Sequence, residues 1–187
     1  MLTIPQRNLL LRIARDSIEA VLDGRSPSFP PHDQLDAELI RPGGCFVSLH
    51  ADGELRGCIG SIHPVSPLFE AVSASAVNAA FRDPRFHPVR KEELARIALE
   101  ISVMSAIELV ADVNDITVGR DGLIIRRGMS SGLLLPQVAT EYGWDRETFL
   151  CHTCVKAGLP RDAWRTPGTR IERFSAEVFG EQTADPS

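Results

Sequence analysis

Leu55-Arg56-Gly57-Cys58-Ile59-Gly60, directly after an Asp52-Gly53 turn, sets a guanidinium and a thiol into a glycine-punctuated strand. Strand alternation assigns Arg56 and Cys58 to one face and Leu55, Gly57 and Ile59 to the other. A fixed cation beside a thiol favours the thiolate, which is the nucleophilic and metal-binding form. Gly57 and Gly60 bring no side chains to packing, and in a strand that marks a bulge or the close approach of another group. The plainer alternative is a small buried cysteine beside a salt-bridged arginine, because free cysteine is among the most buried residue types.

Working outward, Cys45 to His50 is also strand-like, and with Glu54 to Ile62 it flanks Ala51-Asp52-Gly53, a hairpin signal. Thr3 to Gln6 reads as a capping box. Leu10, Ile13, Ala14, Ser17, Val21 and Leu22 then recur at helical spacing up to Gly24, which predicts an amphipathic first helix. Arg25 to Pro42, with Pro27, Pro30 and Pro31 inside it, predicts an extended connector. Ser66 is expected to cap a helix beginning at Pro67 and running through Leu68, Val72 and Ala76 toward Phe81. Ala98 to Ser105 alternates, with Leu99, Ile101 and Val103 on one face and Glu100, Ser102 and Met104 on the other; Ile107 to Val110 is its candidate extension.

A second unit follows on a similar plan. Asp121-Gly122 precedes a strand over Leu123 to Arg127, Gly128 to Gly132 turns, and Leu133-Leu134-Leu135 leads to Pro136 at a helix start. Asp52-Gly53 and Pro67 are offset from Asp121-Gly122 and Pro136 by the same 69 positions. Those landmarks raise an internal β–β–α duplication, with chance as the competing explanation. Asp145 caps a further predicted helix, Arg146 to Ala157, which ends at Gly158 with Pro160 beyond it. Ile171 to Val178 reads as a last strand and Gln182 to Ser187 as a frayed tail.

The 187 residues suit one compact domain or two small lobes with a real core. A hydrophobic content of 43%, a charged content of 24% and a net charge of −5 fit a soluble protein and argue against wholesale nucleic-acid binding. No apolar run is long enough for a membrane span, and Asn8, Arg12, Arg15 and Asp16 interrupt any signal-peptide core. Four cysteines, two of them in separate single-cysteine segments, do not resemble a disulfide scaffold, so a reduced, cytoplasmic protein is expected.

Cys151-His152-Thr153-Cys154 is the second chemical candidate: on a helix its sulfurs lie one turn apart, close enough to share a metal. A closed zinc site wants four ligands and no partner pair with suitable spacing is nearby, so no metal is expected and core packing of these cysteines is the plainer reading. Arg82-Asp83-Pro84-Arg85-Phe86 forms either a turn held by ion pairs or, with its arginines near Cys58, an anion-binding pocket. Glu100 interrupts an apolar strand: either its face is solvated, or it is a buried partner for Arg56 or Arg85. The scattered histidines His50, His63, His87 and His152 single out no ligand or base.

Together, Leu55 to Gly60, Phe81 to Phe86, Leu99-Glu100-Ile101-Ser102-Val103, Gly132 to Ala139 and Phe149 to Gly158 resemble, in order, the motifs of the AMMECR-type domain family, whose prokaryotic members are also called protein A of the AmmeMemoRadiSam system. The resemblance covers about Pro5 to Phe179 and treats residues 1–187 as a single such domain. It implies an α+β fold, a mainly antiparallel sheet with flanking helices in two unequal subdomains, and an association with a Memo-type protein and a radical S-adenosylmethionine protein. The family carries no settled activity. Its recurrent polar residues fall here at Arg56, Cys58, Asp83, Arg85, Glu100, Ser102, Gln137 and Cys154, while Cys151 is not a usual family position.

The leading functional expectation is an enzyme or enzyme component without a cofactor. Cys58, Arg56 and Glu100 would carry the chemistry in a cleft between the lobes. Asp83, Arg85, Ser102 and Gln137 would hold a small anionic substrate, and Cys154 is a further candidate. A non-catalytic partner or scaffold for the Memo-type and radical proteins is the alternative. Binding of structured RNA is the third, resting on Arg85, Arg90, Lys91, Arg126 and Arg127.

Overall fold

The computed structural model describes residues 1–181, so the expected tail from Gln182 to Ser187 lies outside the described residues. The fold is α+β, and its strand pairings are antiparallel. The described residues form two compact units, one of Met1–Met104 with residues 177–181, the other of Ser105–Ala176.

The first unit begins with α1 (Ile4–Leu22). Thr3 accepts from the Gln6 N–H while the Gln6 side chain accepts from the Thr3 N–H, the reciprocal cap that the Thr-x-x-Gln spacing predicts. The proline-rich connector is less extended than expected. It holds a single 3₁₀ turn, His32–Gln34, and the short helix α2 (Ala37–Ile40), because Leu35 and Leu39 find places in the core. The hairpin β1 (Cys45–Ala51) and β2 (Glu54–Ser61) turns at Asp52-Gly53, both at positive φ (54° and 85°), the type I′ geometry that follows strand twist. The next helix, α3 (Leu68–Phe81), starts one residue later than the sequence predicts. Pro67 itself occupies the cap, and the Ser66 carbonyl is taken by the Gly43 N–H. A 3₁₀ segment, Lys91–Arg96, leads into β3 (Ile97–Met104), and the strand order is β2-β1-β3.

Alternation divides this sheet into two chemically distinct faces. Val47, Leu49, Leu99 and Ile101 are fully buried with Leu10 and Ile18 of α1 and Phe69, Val72 and Ala76 of α3. Each such large side chain contributes about 1.5–3 kcal/mol on leaving water. The helices are stitched together by a satisfied polar pair, Ser17 Oγ to Ser73 Oγ at 2.8 Å. A Cβ on Gly57 would sit 2.3 Å from the Ala79 carbonyl oxygen, so α3 lies against β2 at a distance only a hydrogen allows.

The second unit holds the two-residue strand β4 (Glu108–Leu109), β5 (Asp121–Arg127), β6 (Ser130–Leu134), α4 (Pro136–Glu141), α5 (Arg146–Lys156) and the first part of β7 (Arg170–Gly180). β5 pairs with both β6 and β7, and β4 pairs with β7. Asp145 caps α5 by accepting from the Thr148 N–H at 2.8 Å. Each unit therefore carries a hairpin followed by a helix, yet the 69-residue offset does not align them. Asp52-Gly53 is a hairpin turn, whereas Asp121-Gly122 opens β5, with Asp121 buried and paired to Arg120; the corresponding turn is Gly128-Met129. Among the described residues no helix is long and apolar enough to cross a membrane.

Candidate functional site

The face of the first sheet opposite the Val47 and Leu99 core carries Cys58, Glu100 and the buried Ser102. Register places Cys58 of β2, Ser48 of β1 and Glu100 of β3 in one cross-strand row, with Gly60, Phe46 and Ser102 in the next. The pairing shifts between Leu49 and His50, because Gly57 faces Leu49 and Leu55 faces His50. Arg56 is the extra residue of a β-bulge. The bulge corrects the simple alternation at one position: Leu55 joins the His50 row and is 40% exposed instead of sharing the buried face with Ile59.

Both backbone groups of Cys58 point away from β1, since its N–H donates to Asp83 Oδ2 at 2.9 Å and its carbonyl accepts from Arg85 Nη2 at 3.3 Å. Cys58 and Ser48 thus form a pair without mutual backbone bonds, the type in which side chains come closest. The Ser48 hydroxyl accordingly donates to Cys58 Sγ at 3.2 Å. Sequence reasoning missed Ser48, and only its alternation with Phe46 and His50 could have put it on this face.

Asp83 and Arg85 act as a substitute strand along this edge. Asp83 Oδ1 accepts from the Arg85 N–H (3.1 Å) and Nε (3.0 Å), and Oδ2 accepts from Arg85 Nη2 at 2.7 Å in addition to the Cys58 N–H. The Asp83 side chain is only 2% exposed, and the Arg85 guanidinium beside it holds its carboxyl far below the usual range. Arg56 is gripped at Nε (3.1 Å) and Nη2 (3.3 Å) by Glu93, whose carboxyl is lowered first by that arginine and then by the Arg90 N–H. Glu93 was not among the sequence candidates. Its place follows from the 3₁₀ segment, and the Arg90-to-Glu93 spacing is the signal that could have found it. Among the described residues, Arg56 Nη1 and His50 Nε2 are buried without partners, each at a cost of about 1–3 kcal/mol.

Glu100 is half-buried and, among the described residues, makes no ion pair or hydrogen bond. The expectation that it would partner Arg56 or Arg85 is replaced by Glu93 and Asp83, and the solvated-face alternative describes it. Arg56, Arg85, Phe86, His87, Pro88, Arg90, Glu92 and Glu93 line an open groove of about 880 Å³ that lies wholly within the first unit.

Gln137 and Cys154 belong to the second unit. Gln137 is exposed on α4; Cys154 is fully buried with Phe149, Leu150 and Ala163, and burial pushes its thiol up. Cys45, on the packed face of β1, is likewise pushed up to about 11 by burial. All four cysteines are free, and Cys58 and Cys151 are the two that are half-exposed. Among the described residues no three His, Cys, Asp or Glu side chains are grouped to hold a metal ion.

Known proteins resemble the chain over most of its length. The chain is 50% identical over 178 residues to a protein of Methanothermobacter thermautotrophicus, covering 92% of each chain. It is 44% identical over 189 residues to protein MJ0810 of Methanocaldococcus jannaschii, covering 97% of this chain and 92% of that one. The crystal structure of uncharacterised protein PH0010 from Pyrococcus horikoshii is similar with a TM-score of 0.84 at 42% identity, covering 97% of this chain and 94% of the other. The AMMECR1 family model matches residues 11–179, nearly the whole length, and the chain belongs to the AMMECR1 family.

Proposed function

We propose that this protein is an enzyme or enzyme component in which the Cys58 thiol is the reacting group. The observation that carries the reading is the Cys58–Ser48–Glu100 row: a half-exposed sulfur fixed by a hydroxyl donor, with an unpaired carboxylate one strand further along the open face. The Asp83–Arg85 clamp fixes the Cys58 backbone, so the sulfur is presented from a rigid strand instead of a loop. Glu100 would take or give a proton on the second reactant, a role that asks for a carboxylate free of a cation. The Arg85 groove would receive the anionic part of the substrate.

The same reading makes a Memo-type protein and a radical S-adenosylmethionine protein its working partners, and free thiols at all four cysteines suit a reducing compartment such as the cytoplasm. The test is iodoacetamide labelling of the folded protein, with the modified peptides mapped over time. Cys58 is expected to react well ahead of Cys45 and Cys154. A Cys58 that reacts only after unfolding overturns the reading and leaves the non-catalytic partner protein in its place.

A further inference from the structure

We propose that the groove along the outer edge of β2 is an oxyanion site, which takes one carboxylate or phosphate group of a small ligand on Arg85 and Arg90, with Arg56 behind them. The inference deepens the reading above by naming the substrate's chemical class, and rests on that reading only for the use to which the ligand is put.

Three guanidinium groups meet at this groove, and the carboxylates that balance Arg85 and Arg56 are already engaged. Asp83 sits behind Arg85 and is almost wholly covered, and both oxygens of Glu93 are occupied by Arg56 and the Arg90 N–H. Arg85 is held by Nε and Nη2 in a fixed plane with its side chain largely exposed, so among the described residues Nη1 is uncommitted and the ordering cost of binding is met in advance. Among the described residues, Arg56 keeps a buried donor, Nη1, without an acceptor. Arg90 is exposed, and among the described residues it makes no side-chain ion pair. Phe86, with Arg85 5.3 Å above its ring, adds an apolar surface for the body of the ligand.

The groove's other carboxylate, the exposed Glu92, sets a limit. One oxyanion is matched by the arginine donors, whereas a polyanion such as an RNA backbone would meet Glu92 and the chain's overall charge of −5. A small organic acid and a small phosphate ester share the required chemistry.

The experiment is a titration of the protein with inorganic phosphate and, separately, with acetate. Ionic strength is kept constant with sodium chloride, and binding is followed through the arginine Nε–H resonances. Saturable shifts of Arg85 and Arg90 are expected with at least one probe, with a Kd of about 1 mM or tighter. Arg90→Ala should weaken binding about tenfold while leaving the melting temperature in place, since it removes one charge-assisted contact. Saturation by phosphate alone assigns a phosphate ester, and saturation by acetate alone assigns a carboxylic acid. Shifts that stay linear with both probes overturn the proposal, as does a Kd that Arg90→Ala leaves unchanged. The two readings fail separately: an inert Cys58 thiol refutes the catalytic role, and the arginine signals still report whether the groove binds.

Discussion

Asp83→Asn should destabilise the protein by about 3 kcal/mol without altering its fold. The carboxylate accepts four hydrogen bonds with a side chain 2% exposed, two from backbone N–H groups and two from the Arg85 guanidinium. An amide of the same shape turns one acceptor into a donor, so it must face either the Cys58 N–H or the guanidinium with the wrong polarity. Leaving a buried backbone N–H unpaired costs about 1–3 kcal/mol. The ion pair adds about 1 kcal/mol at most, because the Arg85 side chain is 56% exposed and solvent screens it. At this chain length about 3 kcal/mol lowers the melting temperature by about 6–12 °C.

The comparison that isolates the cause is Arg85→Lys, which keeps a cation beside Asp83 and leaves both backbone N–H contacts in place, and should cost only about 1 kcal/mol. Thermal and denaturant unfolding of both variants gives the numbers. The pH dependence has a fixed sign. Asp83 is held far below its unfolded value of about 3.9, so its contribution is fully present above about pH 4 and is lost as pH falls through the folded-state value. The gap between the natural protein and Asp83→Asn should therefore close only in strong acid. A loss under about 0.5 kcal/mol for Asp83→Asn, or equal losses for the two variants, would refute the idea that the carboxylate serves as a surrogate strand.

Further outcomes follow from other parts of the structure. Gly57→Ala drives a Cβ to 2.3 Å from the Ala79 carbonyl oxygen and should cost about 3 kcal/mol or more in denaturant unfolding, far beyond an ordinary glycine-to-alanine change in a strand. Glu93→Gln releases the Arg56 charge from its partner on the face that bears Cys58, so alkylation of Cys58 at neutral pH should quicken about threefold; an unchanged rate would show that Arg56 does not act on the thiol. Cys45 is pushed up to about 11 by burial, so the folded state keeps its proton where the unfolded chain has lost it, and stability present below about pH 8.5 is given up as pH rises toward 11. Cys45→Ala should flatten that alkaline decline by about 3 kcal/mol, read from unfolding curves at pH 7 and near 11.

What could be read from the sequence was what local chemistry determines. Thr3 and Gln6 mark the start of α1 because a cap depends on residues three apart, and Asp52-Gly53 marks the hairpin because the type I′ turn needs two residues at positive φ. Cys58 and Glu100 could be placed on definite strand faces by period-two counting. Their shared row with Ser48 could not, since register is set by pairing across strands and the bulge at Arg56 shifts it. The Asp83–Arg85 pair is legible because both residues lie in one short turn, but the partner of Arg56 is not: Glu93 comes from a 3₁₀ segment whose position depends on how the chain returns from α3 to β3.

These pairings change what the arginines do at the thiol. A cation two residues from a cysteine reads, in sequence, as an activator of that cysteine. Here Arg56 is matched by Glu93 and Arg85 by Asp83, so neither stands beside Cys58 as an uncompensated charge. The donor that touches the sulfur is a neutral hydroxyl, Ser48, and the guanidinium nearest the Cys58 backbone binds its carbonyl. The motif's arginine and glycine are then accounted for by architecture: Gly57 admits α3, and Arg56 fills the bulge and ties down the 3₁₀ segment. What architecture leaves unexplained is a thiol, a hydroxyl and an unpaired carboxylate kept in one row on the sheet face opposite the core, and a groove of guanidinium donors at its edge. A half-buried row of thiol, hydroxyl and unpaired carboxylate gains little for stability, and among the described residues Arg56 Nη1 and His50 Nε2 stay unsatisfied in the same unit. Local cost without structural return is what a binding or reacting surface looks like, and it is the reason the proposed chemistry is assigned to this surface of the first unit.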